Sequence, residues 1–347
     1  MLNDADNGYA YAKACGIIGK SFLGKRISSL SGLRALNDFE RLVFSDNQND
    51  IYEKDLLASL ETKITERAVR RISGVVSSYS RPPKLLLYML KSFEYGNLKE
   101  CLSAASLGKK DTPAVCDIGR FGSIRYNAYP DIRAMLKNTE YKSLTADWDS
   151  NIDMALLEVK LDYHFYKNLI ESLSELSGDD REAAQRLLCD EISLRNCLWA
   201  LRLRSYYEKN ETQTESYLMD FLIPGENQKK RLVSAAKVSL NFHLDVRQHW
   251  DGWKWEKFLN NEPPQTRSDS QQNFQHWAAD PRHFQNAASR YLYLLALRGF
   301  HSAPMSVSAV YCFIKLIQFE EDLLSSVAQG LALGMDSAGV LKMLGEF

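Results

Sequence analysis

The feature that most constrains this chain is a spacing. Apolar residues recur at intervals of three and four over long runs and almost nowhere alternate with polar ones. Leu56, Leu57, Leu60, Ile64, Ala68 and Ile72 make one such stripe. Ile152, Leu156, Val159, Tyr163, Tyr166, Leu169 and Ile170 make another. That period belongs to one face of an α-helix, whereas a strand repeats every second residue. The Val/Ile/Thr alternation of strands is scarce. The spacing therefore predicts an all-α protein.

Breakers divide the helices. Helices are predicted over 9–20 and 31–44, the second with Ser31 as cap or turn residue. A long one starts near residue 51 and ends at "SRPPK" (80–84), because the residue before a proline avoids the helical region. The next stretch, 85–106, reads as one more helix or a broken pair, with Gly96 as the expected break. "GKKDTPAVCDIGRFGSIRYNA" (108–128) reads as a linker or surface loop, and "YPDIRAMLKNTEY" restarts a helix with Pro130 at an early position. Further helices are predicted over 151–175, from the acidic turn "SGDD" (177–180) through Tyr207, over 227–242 after "LIPG", and over 281–299, 305–330 and 336–345. The segment 248–284 holds four tryptophans, two adjacent prolines and a polar run; it reads as a partly exposed loop with one or two short helices.

Several classes of function fall away. Hydrophobic residues make up 45% and charged residues 25%, which implies a packed core. The formal net charge of −1 gives no global field for nucleic acid or an anionic bilayer. "RAVRR" (67–71), "GKK" (108–110) and "NQKKR" (227–231) are separate short basic runs, each as readily solvated helix surface as a contact, so no nucleic-acid partner is expected. Six scattered cysteines lack C-x-x-C spacing and point to a reducing compartment. The opening "MLNDADNGYAYAK" does not read as a signal peptide, and the apolar stretch 307–319 is interrupted by serine and lysine, so no membrane span is expected. "GIIGKS" (16–21) mimics only the end of a phosphate loop. The histidines have no ligand spacing, no G-x-S-x-G elbow occurs, and "GDDREAAQ" lacks a third aspartate. No catalytic residue, cofactor or metal is expected.

Three stretches share a texture: "LLLYMLKSFEYGNLKECL" (85–102), "RLLCDEISLRNCLWAL" (186–201) and "VYCFIKLIQFEEDLLSSV" (310–327). In each, an apolar helix meets a polar notch and resumes; the notches centre on Asn97, Asn196 and Asp322. A repeat of roughly a hundred residues would make three related helical modules. In the second stretch Arg195, Trp199, Arg202 and Tyr206 line one stripe at helical spacing. Such a stripe suits a protein interface, and equally arginines paired with acids of a neighbouring helix around a core tryptophan. Glu320, Glu321 and Asp322 form an acidic notch inside an apolar helix, which must face solvent, a polar cavity or a cationic partner.

The order of these elements resembles the central-stalk socket protein of V-type and archaeal-type rotary ATPases, the C-type subunit of the bacterial and archaeal enzymes and the d-type subunit of the eukaryotic ones. The resemblance rests on "YAYAKACGIIGKSFLG", "LLLYMLKSFEYGNLK", "NIDMALLEVKLDYHFYKNLIESL", "DEISLRNCLWALRLRSYY", "LIPG" and the C-terminal "AVYCFIKLIQFEEDLLSSVAQGLALGMDSAGVLKML", which together cover nearly the whole chain. It implies three homologous helical modules around a pseudo-threefold axis, forming a funnel. The modules would span 1–107 (with part of the C-terminal region packed on it), 108–225 and 226–347. It implies a peripheral protein on the cytoplasmic side of the membrane that catalyses nothing. In that family the funnel caps the membrane proteolipid rotor ring, receives the tip of the central rotor shaft (subunits of the D and F type), and transmits torque in ion transport. Asn97, Lys99, Arg195, Asn196, Trp199, Arg202, Tyr206, Glu320 and Asp322 are the candidate funnel-lining or partner-contact residues, with a module-stabilising role equally open. The alternative is a helical-repeat scaffold of an unrelated assembly.

Overall fold

The computed structural model describes residues 4–44, 53–146, 148, 154–176, 178–205, 254–259 and 281–344. Among them the regular elements are helical: α1 (Asp4–Ile18), α2 (Leu36–Val43), α3 (Glu53–Val76), α4 (Lys84–Ser106), α5 (Ile132–Met135), α6 (Met154–Ser172), α7 (Gly178–Ser205), α8 (Pro281–Ser302), α9 (Val307–Ala332) and α10 (Ser337–Leu344). The predicted all-α class is what forms. The three notch-bearing stretches lie on α4, α7 and α9.

Two compact units are distinguished. One comprises Met1–Ala184 with Leu295–Phe347, the other Gln185–Leu294, so the boundaries fall inside α7 and α8. In the first unit α9 is the hub and packs against α1, α2, α3, α4 and α10. Its Leu323, Leu324, Val327 and Leu331 share a core with Leu56, Leu60 and Ile64 of α3 and with Phe22 and Phe39. Burial of each such side chain contributes about 1.5–3 kcal/mol. α9 starts where it does because three of its first amides are capped. Ser306 Oγ accepts from Ala309 N at 3.0 Å, and the Asp180 carboxylate accepts from Ser308 N at 2.6 Å and Val307 N at 3.3 Å. Asp180, an acid in the first turn of α7, thus caps the start of α9. α10 folds back onto α9 at Gly330, where a Cβ would come within 2.2 Å of Val340 Cγ2. A second core joins Leu98, Cys101 and Leu102 of α4 to Leu157 and Leu161 of α6, closed by Tyr129, Met135 and Tyr141.

In the other unit Leu187, Leu188, Ile192, Leu194, Cys197 and Leu201 make the buried face of α7. Trp255, 1% exposed, stacks on Phe258 at 5.5 Å between ring centroids, and Phe258 meets Phe284 and Tyr291 of α8.

Some boundaries differ from the sequence reading. α4 runs unbroken through Gly96, which faces open space; a glycine costs a helix about 1 kcal/mol, less than the apolar contacts on the opposite face return. The helix predicted from "YPDIRAMLKNTEY" shrinks to the single turn α5, capped by Asp131 Oδ1 accepting from Ala134 N at 3.0 Å, with 3₁₀ turns at Tyr126–Ala128 and Glu140–Ser143. Ser31 closes the 3₁₀ turn Gly24–Leu30, and α2 begins at Leu36 after Ala35, without a side-chain cap. The predicted 227–242 helix, "LIPG", Tyr206 and most of 248–284 lie outside the described residues.

Candidate functional site

The notch on α4 consists of Glu94, Asn97 and Lys99. Glu94 and Asn97 are one turn apart, so both side chains leave the same flank. Asn97 is 7% exposed and pairs with the Cys116 backbone in both directions. Its Nδ2 donates to Cys116 O at 2.7 Å and its Oδ1 accepts from Cys116 N at 2.9 Å. The same Nδ2 also lies 3.0 Å from Tyr126 Oη. Glu94, 1% exposed, accepts from the backbone of Ser123 and Ile124, from Ser123 Oγ and from Tyr141 Oη at 2.8 Å. The segment read as a linker is therefore strapped to α4 at two points by side chains that replace its missing backbone partners. Lys99 reaches Asp162 of α6 at 2.7 Å, and Tyr95 Oη meets His164 Nδ1 of α6 at 2.6 Å. Burial is the main cause that lowers the His164 imidazole from its ordinary value, and it raises the Tyr95 and Tyr141 phenols.

The notch on α9 is organised by charge. Glu320, 2% exposed, takes Arg71 Nη1 at 2.5 Å on one oxygen. Its other oxygen takes Phe22 N at 2.9 Å and Arg67 Nη2 at 3.4 Å. Arg67 also donates to Val43 O at 3.1 Å and lies over the rings of Phe22 and Phe44 at 5.3 and 6.0 Å. Burial and the neighbouring Arg71 pull its guanidinium down to about 10, against the opposing pull of Glu320. Both arginines come from "RAVRR", for which the sequence leaves solvated surface as one open reading; their guanidiniums face Glu320 in the α3–α9 seam. Glu321 accepts from Thr65 Oγ1 at 2.7 Å, and Asp322 is exposed.

In the other unit the α7 notch gathers around Asp190, 6% exposed, which receives Lys254 and, at 2.7 Å, Tyr291 Oη. Ser193 Oγ accepts from Trp255 Nε1 at 2.7 Å. Arg195 is exposed and lies 3.4 Å from Glu191 on the preceding turn; Asn196 is 1% exposed; Trp199 is half-buried; Arg202 donates to Gln285 Oε1 at 2.7 Å. Of the nine residues named from the sequence, the first unit thus holds Asn97, Lys99, Glu320 and Asp322, and the other holds Arg195, Asn196, Trp199 and Arg202.

Sequence reading passed over Glu94, Arg67, Arg71 and Asp190. Glu94 carried one usable signal, its position one turn before Asn97 in "FEYGNLK". A groove of about 410 Å³ opens between α3 and residues 117–121, lined by Glu66, Arg70, Ser73, Asp117, Arg120 and Phe121. Among the described residues no three His, Cys, Asp or Glu side chains gather as a metal site, and no helix is long and apolar enough to cross a membrane. What the described notches do chemically is hold polar groups of one segment against another.

The model of the family described as ATP synthase (C/AC39) subunit matches residues 43–342. A protein of Treponema pallidum (strain Nichols), described as uncharacterized, is 26% identical over 351 residues, spanning 99% of this chain and 97% of its own length.

Proposed function

The chain belongs to the ATP synthase (C/AC39) subunit family, and from that premise we propose that it is a non-catalytic coupling subunit of a V-type or archaeal-type rotary ATPase. In this reading it is a socket between the rotor shaft, with its D- and F-type subunits, and the membrane proteolipid ring. It sits on the cytoplasmic face as a peripheral protein and transmits torque during ion transport. Its helices form three homologous modules, 1–107, 108–225 and 226–347, around a pseudo-threefold axis that opens as a funnel.

The observation that carries the reading is the family match, which extends over residues 43–342. The physical character of the notches supports it. A torque-bearing socket must resist shear, and buried polar straps such as Asn97–Cys116 and Glu320–Arg71 fix segments in one register, where apolar contacts alone would let them slide. We assign Asn97, Lys99 and Glu320 to holding the first unit together. Arg195, Trp199, Arg202, Tyr206 and Asp322 are the candidates for partner contact, and Asn196 supports that stripe from the buried side of α7.

The test is affinity purification of the tagged chain from gently solubilised membranes of its own organism, read by mass spectrometry. The expected result is co-recovery of shaft subunits, the proteolipid ring and the ATP-hydrolysing head. Recovery of the chain alone from a lysate in which that complex is intact would overturn the proposal.

A further inference from the structure

Glu320 and Glu321 are consecutive on α9, yet their surroundings are unequal. Glu320 absorbs both guanidiniums of the α3–α9 seam and the Phe22 amide. Glu321 is half-buried on the same seam and, among the described residues, has a single hydrogen-bond partner, the Thr65 hydroxyl at 2.7 Å. A hydroxyl supplies one neutral donor, too little to balance a carboxylate removed from water.

The charged groups around it do not make up the difference. From α3 come Arg67 and Arg71, both committed to Glu320, and the acid Glu66. α9 itself adds Glu320, the exposed Asp322 and, more than a turn away, Lys315. The strapped segment brings Cys116 and Asp117, and the Cys116 thiol, pushed up to about 12 first by burial, is raised further by Glu321, Glu66 and Asp117 in that order. The remaining helices packed on α9 bring charges engaged elsewhere: Lys13 of α1 on Gly74 O, Glu40 of α2 on Lys63, Lys91 of α4 on Glu140. Asp336, just before α10, accepts from Gly339 N. Burial accordingly raises the Glu321 carboxyl to about 7; the Thr65 hydroxyl opposes that rise and Asp322 adds to it.

We propose that Glu321 is a proton-operated latch on the seam of α3 and α9 with residues 116–117: protonated it closes the seam, ionised it loosens it. The sign follows from linkage. A carboxyl raised on folding binds its proton more tightly in the folded chain. The stability it confers is complete below its unfolded value of about 4.3 and is lost as pH rises through about 7. The seam is tightest in mildly acidic conditions and slackens on the alkaline side of neutrality, whatever the chain docks with.

The experiment compares Glu321→Gln, a permanent mimic of the neutral side chain, with the wild-type full chain by urea unfolding at about pH 5 and about pH 8. The variant should be close to wild type at the lower pH, and at the higher pH its unfolding constant should be smaller by roughly tenfold or more. An equal difference at both values, or a variant weaker than wild type at the higher pH, would sink the proposal. A second measurement covers a variant that fails to fold. In wild-type chain labelled with carboxyl-¹³C glutamate, one NMR resonance should titrate near neutrality, and Thr65→Val should move its midpoint upward. Titration of every glutamate in the ordinary carboxylate range would equally overturn it.

Discussion

The α3–α9 seam and the seam of α4 with residues 123–141 both bury a carboxylate, and they balance it by opposite means. Glu320 is met by two cations. Glu94 is met by two backbone amides and two hydroxyls, all neutral. A charge pair is sensitive to the loss of either member, because the survivor is left buried and unbalanced. A set of neutral donors distributes the load, and it also dictates where the donating backbone must run. The first arrangement clamps helix to helix. The second shapes an irregular segment that has no secondary structure of its own to hold it.

That contrast can be broken by mutation. The largest effect is expected from Glu320→Ala, which strands Arg67 and Arg71 in the seam and should cost about 3–5 kcal/mol in urea unfolding. Glu94→Ala should cost less, about 2–3 kcal/mol. Its hydrogen-exchange signature should differ too, with protection lost at Ser123 and Ile124 while α3 and α9 stay protected. Global loss of protection in the Glu94 variant, equal to that in the Glu320 variant, would erase the distinction. Lys99→Ala removes a pair whose members are 26% and 45% exposed and should cost under about 1 kcal/mol.

The smallest expected effect is a change of slope. His164 is lowered by burial, so its contribution is present above its unfolded value of about 6.5 and is lost as pH falls through the lower folded value. His164→Gln should therefore flatten the acid side of the stability profile. The α3–α9 seam, through Glu321, responds in the opposite direction. Unchanged acid-side slopes in the His164 variant would show that the Tyr95–His164 contact between α4 and α6 does not sense pH.

How far the sequence reached can be judged from particular residues. In the stripe Leu56, Leu57, Leu60, Ile64, Ala68 and Ile72 every residue is buried as read except Leu57, which is half-buried. Gly96 was misread as a break because propensity is a local quantity, while the face of α4 opposite that glycine is held by remote contacts. The sequence leaves Arg67 and Arg71 open to a solvated reading because their partner Glu320 lies 253 and 249 residues away. Trp255, in a stretch read as partly exposed, is buried against α7 residues such as Ser193, 62 positions earlier.

The sequence by itself determined the long described helices, since these follow from a period of a few residues and the steric limits of each residue's backbone. It did not determine every apolar face: on α6 Tyr163 of the stripe read from the sequence is exposed, and Leu157 and Leu161 are buried instead. It also marked Asn97, Asn196 and the run Glu320–Asp322, centred on the exposed Asp322, as polar residues set within apolar helices. Only the tertiary structure decided which of those groups became straps, because a polar side chain's role depends on the donors and acceptors that folding brings to it. Glu320 and Glu321 are the same residue type one position apart. Packing gave one of them two guanidiniums and the other a hydroxyl.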